Sequence, residues 1–144
     1  MVRSSDKQID QLRQRRDARA IALLVLGGAA AMHALIIEDD DLTAIAIEQV
    51  LRKVGFTTFD CAASFGEAVA AAHERCPQLI TADVELKPGS GIDVVQTICS
   101  EAPIPVIFIT GQPDAARSRM PQHPVVSKPF RMSEVEAAVR EAMI

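Results

Sequence analysis

Short apolar runs alternate with amphipathic stretches along most of this chain. Residues 34–37, 56–61, 78–82, 105–109 and 124–126 are apolar or β-branched and of strand length. The segments between them carry helical spacing. Ile47, Val50, Leu51 and Val54 fall at i, i+3, i+4 and i+7, and Gly55 follows as a stop. A second helix opens on Ser64 with Glu67 three residues later, a capping box, and stripes through Phe65, Ala68, Val69 and Ala72. A third carries Ile92, Val95 and Cys99 and closes before Pro103. The last opens on Ser133 and Glu136, a second capping box, with Val135, Val139 and Ala142 as its stripe. Between the fourth and fifth strands, residues 112–121 hold two prolines and no apolar stripe, which predicts a single turn or a mobile loop where a fourth helix would stand. Five strands alternating with helices predict right-handed βαβ units and a doubly wound α/β fold, its parallel sheet covered on both faces. No repeat and no linker divides the pattern.

The N-terminal residues need separate treatment. Residues 20–37 contain no Asp, Glu, Lys or Arg and follow the basic stretch 13–19, which alone reads as a membrane span or a signal peptide. The last four of them, however, form the first predicted strand. What remains is broken by Gly27-Gly28 and is too short to cross a bilayer. Met32 stands two residues before the strand, and residues 32–144 make a complete domain on their own. Residues 1–31 are therefore expected to be an N-terminal extension, helical or flexible, or a consequence of start-site choice, ahead of a membrane signal.

Composition narrows the function. In 144 residues, 49% are hydrophobic and 24% charged, which excludes a disordered or fibrous chain. Fifteen Lys and Arg against nineteen Asp and Glu give a net charge of −4, and aromatic content is 3% with no Trp or Tyr. Neither a positive field nor stacking platforms are available for nucleic acid. Cys61, Cys76 and Cys99 are odd in number and lack CxxC spacing, which suits buried thiols in a reducing cytoplasm. His33, His73 and His123 are scattered and are expected to be surface or packing residues.

In doubly wound sheets ligands bind outside the carboxyl ends of the strands. Strand one ends in Glu38-Asp39-Asp40-Asp41, strand three in Asp83, strand four in Thr110-Gly111, and strand five runs into Ser127-Lys128-Pro129. These residues converge on one rim. Carboxylates so close repel one another unless a cation sits among them, and oxygen ligands suit Mg²⁺. A carboxylate nucleophile, Mg²⁺, a lysine and a hydroxyl are what a phosphoryl group requires. Some of the acids have structural readings: Asp40 and Asp41 fit an N-cap and first-turn charge, and Glu85 fits a solvated rim residue. Residues 87–91 are a turn by composition and lack phosphate-loop spacing.

The ordered set Glu38-Asp39, Asp83 followed by Gly91, Thr110-Gly111 and Lys128-Pro129-Phe130 resembles the receiver domains of two-component response regulators, over about residues 34–144. Residues 105–111 look like the variant receivers of alphaproteobacterial general-stress signalling, including a single-domain group with a Phe-Ala-Thr-Gly motif, although Ile109 replaces that Ala. The resemblance implies a flavodoxin-like sheet of order 2-1-3-4-5. It makes Asp83 the phosphoacceptor, and Asp39 and Asp83 direct Mg²⁺ ligands together with the backbone carbonyl of Glu85, with Glu38 acting through water. Lys128 would neutralise Asp83 and then bind a phosphoryl oxygen, Thr110 would move to bind another, Gly111 would leave room for the donor, and the Lys128-Pro129 peptide would be cis.

The implied partners are a sensor histidine kinase or phosphotransfer protein and a downstream protein, with no nucleic acid and no membrane. The chain would be a cytoplasmic single-domain regulator or phosphate sink, catalysing only its own phosphorylation and dephosphorylation. No output domain is expected in residues 1–33 or after Ile144, so output is expected through another protein. Two alternatives stand beside this. A Mg²⁺-dependent phosphohydrolase would need an Asp two residues after the nucleophile, where the chain has Glu85, and a cap domain. A phosphorylation-independent receiver-like module is disfavoured by the presence of Asp39, Asp83, Thr110 and Lys128. Receivers usually carry an aromatic switch three residues before the lysine. Here that position is Val125, and the Thr110–Lys128 interval is about one helical turn shorter than usual. The expected switch is therefore an ordering or displacement of residues 111–121 pulled by Thr110.

Overall fold

The structure, a computed structural model, describes residues 32–144. The elements in chain order are β1 (His33–Ile37), α1 (Asp41–Lys53), β2 (Thr58–Ala62), α2 (Phe65–Glu74), β3 (Leu79–Ala82), α3 (Gly91–Glu101), β4 (Val106–Thr110), α4 (Pro113–Arg119), β5 (Val125–Ser127) and α5 (Met132–Ala142). The strands form one parallel sheet in the order β2-β1-β3-β4-β5, the flavodoxin-like arrangement expected. The expectation for residues 1–31 lies outside the described residues.

Alternation along the strands sorts the core into two layers. Leu35, Ile37, Ile80, Ala82, Val106 and Phe108 face α2, α3 and α4. Their neighbours Ala34, Ile36, Leu79, Ile107 and Ile109 face α1 and α5. Strands whose successive residues are buried on opposite faces read as continuous apolar runs, which is why the sequence marked them clearly.

Local chemistry sets the element ends. Asp40 caps α1, its carboxylate accepting from the Thr43 N–H at 2.9 Å. At the other end Gly55 takes φ +112°, its N–H reaches the Arg52 carbonyl, and the Phe56 N–H reaches the Leu51 carbonyl, a Schellman closure. Phe56 then packs with Leu51 in the α1 layer, so β2 starts at Thr58 rather than at residue 56. The other strand boundaries differ from expectation by at most one residue.

Several expectations need correction. α4 is a seven-residue helix of two turns, the shortest of the five described, not a single turn or a loop. Pro113 sits in its first turn, where a missing N–H is harmless, and Ala116 and Met120, one turn apart, are buried against Phe108 and Val125. α5 opens two residues earlier than Ser133–Glu136 implies, because the Glu134 carboxylate accepts from the Arg131 N–H at 3.0 Å. Glu136 instead pairs with Lys53 of α1 at 2.9 Å. Phe65 does not join the α2 stripe and is 40% exposed. Cys61 is exposed and Cys76 and Cys99 half-buried, rather than all three buried. His33, by contrast, is a packing residue as expected, buried with its ring held between Thr58 Oγ1 at 2.9 Å and Asp60 Oδ2 at 3.0 Å.

Candidate phosphoryl site

Backbone pairing carries each strand into the rim and fixes where its last side chain stands. The Asp83 N–H donates to the Ile37 carbonyl at 3.0 Å, the Glu38 N–H to the Ala62 carbonyl at 2.9 Å, and the Lys128 N–H to the Thr110 carbonyl at 2.8 Å. Glu38, Asp83 and Lys128 therefore lie side by side although 90 residues separate the outer two. Carboxylate oxygens of Glu38, Asp39 and Asp83 all lie within 4.8 Å of one another. Glu38 is 4% and Asp83 5% exposed, whereas Asp39 is open to solvent.

Lys128 Nζ donates to Asp83 Oδ2 at 2.8 Å and also to Glu38 Oε1. Burial alone would lower the Lys128 pKa, but its bonds to Asp83 and Glu38 outweigh that and hold it above the ordinary lysine value. Glu38 moves the other way from most ion-paired acids. Its burial raises the pKa more than Lys128 and the Asp40 N–H lower it. Both Glu38 oxygens have donors, since Oε2 accepts from the Asp40 N–H at 3.1 Å. That suits a carboxylate acting on a metal through water. The exposed Asp39 and the paired Asp83 suit direct ligation of a hard cation. Asp40, the cap of α1, is held below the usual carboxylate value by its bonds to the Thr43 hydroxyl and N–H, in keeping with its structural reading.

The remaining rim residues fall where the sequence placed them. Thr110 is fully buried at the end of β4, and Gly111 has open space where a side chain would stand. The Lys128-Pro129 peptide is cis, as is Lys87-Pro88. Val125 is half-buried in β5 against the α4 layer, where the Phe108 ring meets the His123 ring edge-on at 6.1 Å between centroids.

Two residues carry more than the sequence showed. Gly91 opens α3 directly against the Asp83 backbone. Gln112, assigned no role from sequence, donates its N–H to Thr110 Oγ1 at 3.0 Å and its side-chain amide to Glu85. The available signal was positional: Glu85 and Gln112 each stand two residues beyond the functional residue of neighbouring strands.

Comparison with known proteins gives a consistent result. Residues 34–140 match the response regulator receiver domain. The phyllosphere-induced regulator PhyR of Methylorubrum extorquens is 34% identical over 122 residues, covering 82% of this chain and 46% of that protein. The receiver domain of the Erythrobacter litoralis PhyR response regulator superposes with TM-score 0.74 at 33% identity, covering 79% of this chain and 91% of that one. The anti-anti-sigma factor PhyR of Bartonella quintana gives TM-score 0.69 at 35% identity, over 91% of this chain and 55% of that one. The chain spans about half the length of curated relatives that it matches, 46% and 47% in two of them. On the match over residues 34–140 and the PhyR likeness together, the chain belongs to the response regulator receiver domain family.

Proposed function

We propose that Asp83 accepts a phosphoryl group from a phosphohistidine of a sensor histidine kinase or phosphotransfer protein. The observation that carries this reading is the Lys128 ammonium shared between Asp83 and Glu38 beside the solvent-open carboxylate of Asp39. An Asp83 oxygen attacks phosphorus, the P–N bond breaks, and the histidine nitrogen leaves with the electron pair. Asp39, Asp83 and the Glu85 carbonyl would hold Mg²⁺, with Glu38 acting through water, and the ion would neutralise the crowded oxygens. Lys128 binds one phosphoryl oxygen and the Thr110 hydroxyl another, while Gly111 leaves room for the donor. Hydrolysis reverses the charge: water attacks phosphorus, the P–O bond breaks, and phosphate leaves the Asp83 carboxylate restored. The site thus acts on itself and releases no processed substrate.

Residues 32–144 constitute the receiver unit in this reading. Met32 supports that boundary, because its carbonyl accepts from the N–H groups of Thr57 at 2.9 Å and Thr58 at 3.1 Å. Signalling runs through protein contact, with a downstream protein or as a phosphate sink in the cytoplasm. The Bartonella relative named as an anti-anti-sigma factor supports a target in sigma-factor control. Among the described residues no helix is long and apolar enough to cross a membrane. The test is incubation with Mg²⁺ and acetyl phosphate followed by intact-mass measurement. One phosphoryl adduct is expected, lost in Asp83→Asn; an undiminished adduct in that variant overturns the assignment.

A further inference from the structure

We infer that Gln112 is a positioning residue of this site, a latch that keeps the β4–α4 turn and the Thr110 hydroxyl in their resting arrangement; this rests on the phosphoryl-acceptor reading above. Four groups form a continuous chain across the rim. The Glu85 N–H donates to Asp83 Oδ1 at 3.1 Å, the Gln112 side-chain amide donates to the Glu85 carboxylate, and the Gln112 N–H donates to Thr110 Oγ1 at 3.0 Å. The loop after β3 and the turn after β4 are thereby tied through one residue.

The residue type has no explanation in the helix it precedes. Gln112 occupies the N-cap of α4, where Ser, Thr, Asp or Asn would serve better, and its side chain makes no cap bond. It reaches sideways to Glu85 instead. The Glu85 end is firmly based, because Glu85 bridges to Ser90 and the Gly91 N–H bonds the Val84 carbonyl at 2.9 Å. A Thr110 hydroxyl that turns to donate to an oxygen on Asp83 leaves the Gln112 N–H, and the bond to Glu85 resists any following movement of the turn. Both bonds of Gln112 therefore favour the resting state. The side-chain bond sets how much of the binding energy of a phosphoryl group is consumed in moving Thr110.

Beryllofluoride with Mg²⁺, titrated by the amide shifts of Thr110 and Gln112, reads this equilibrium. Gln112→Ala keeps the backbone N–H and removes the side-chain bond, and Glu85→Ala removes the acceptor while keeping the backbone carbonyl. Each is expected to tighten beryllofluoride binding by about twofold to tenfold, the range for one charge-assisted bond in contact with water. The double alanine variant should bind no tighter than the tighter single one. The exchanged pair Glu85→Gln/Gln112→Glu reverses donor and acceptor across the same gap and should return to within about twofold of wild type, a rescue that simple packing would not produce. Resting amide protection at Ala116 and Met120 should fall in both single variants and recover in the exchanged pair. Unchanged or weaker binding in Gln112→Ala, additive effects in the double alanine variant, or no recovery in the exchanged pair overturns the latch. Absence of beryllofluoride binding to the wild-type protein overturns the phosphoryl-acceptor reading itself.

Discussion

Gly91 stands so close to Asp83 that a Cβ at position 91 would lie 1.7 Å from the Asp83 carbonyl oxygen and 2.8 Å from its carbonyl carbon. The requirement is for space, since the φ of Gly91 lies outside the left-handed region. The first turn of α3 thus seats the backbone of the proposed phosphoacceptor, and no side-chain rotation relieves the overlap. Gly91→Ala is expected to cost about 3 kcal/mol in urea unfolding, the upper range of overpacking, and to abolish beryllofluoride binding by displacing Asp83. Gly66→Ala is the control. Its added methyl meets nothing within 4 Å and falls in α2, so a gain of about 0.5 kcal/mol is expected. Equal stability of the two variants would contradict the packing argument.

Removing Lys128 leaves Glu38 and Asp83 buried together without their shared cation. Breaking a buried pair from one side is more damaging than its net attraction suggests, because the partners stay desolvated. At this half-open rim Lys128→Ala is expected to lose about 2 kcal/mol at neutral pH in EDTA. Millimolar Mg²⁺ should restore a measurable part of that loss. Urea melts with and without the ion decide it: a loss insensitive to Mg²⁺ would mean the three acids do not form a cation site.

Thr81 is the one described residue whose buried side-chain oxygen has no hydrogen-bond partner. It lies in β3 two residues before Asp83, between Ile36 and Ile107 of the adjoining strands. Thr81→Val preserves the shape and removes the unpaired hydroxyl, so a gain of about 1 kcal/mol is expected, with no change in beryllofluoride affinity. A loss of stability would show that the hydroxyl has a partner, such as a bound water.

The strands and the rim were legible because each chemistry-bearing residue ends an apolar run, which marks the strand's presence even where its limits shift by a residue or two. What could not be read depended on tertiary contact. The bond between Glu38 and Lys128 spans 90 residues and needs the packed sheet to exist, so the sequence did not show it. α4 hides its helical character because only Ala116 and Met120 are buried there, too few for a periodicity. The ordering switch inferred for residues 111–121 loses its starting state, since seven of those residues are already helical; displacement of a formed helix remains. At α5, the sequences Arg131–Glu134 and Ser133–Glu136 both offer a Glu three residues on, and only packing chose between them. Gly91 was visible as a residue, but the carbonyl it makes room for was not.

His123 links α4 to β5, its N–H bonded to the Met120 carbonyl and its ring set edge-on against the buried Phe108. Burial lowers its pKa below the ordinary histidine value. The unfolded chain therefore binds a proton at higher pH than the folded chain does. Stability from this group is complete above the unfolded value near 6.5 and falls as pH drops from there toward the lowered folded value. The half-open ring keeps the effect below about 1 kcal/mol. His123→Asn removes the titration, and any loss of ring contact in that variant applies at every pH. Urea unfolding at pH 7.5 and 5.5 should show the wild-type protein losing more stability on acidification than His123→Asn. An equal or steeper loss in the variant would place the acid sensitivity elsewhere and would mean that the Phe108 contact does not exclude the charged imidazolium.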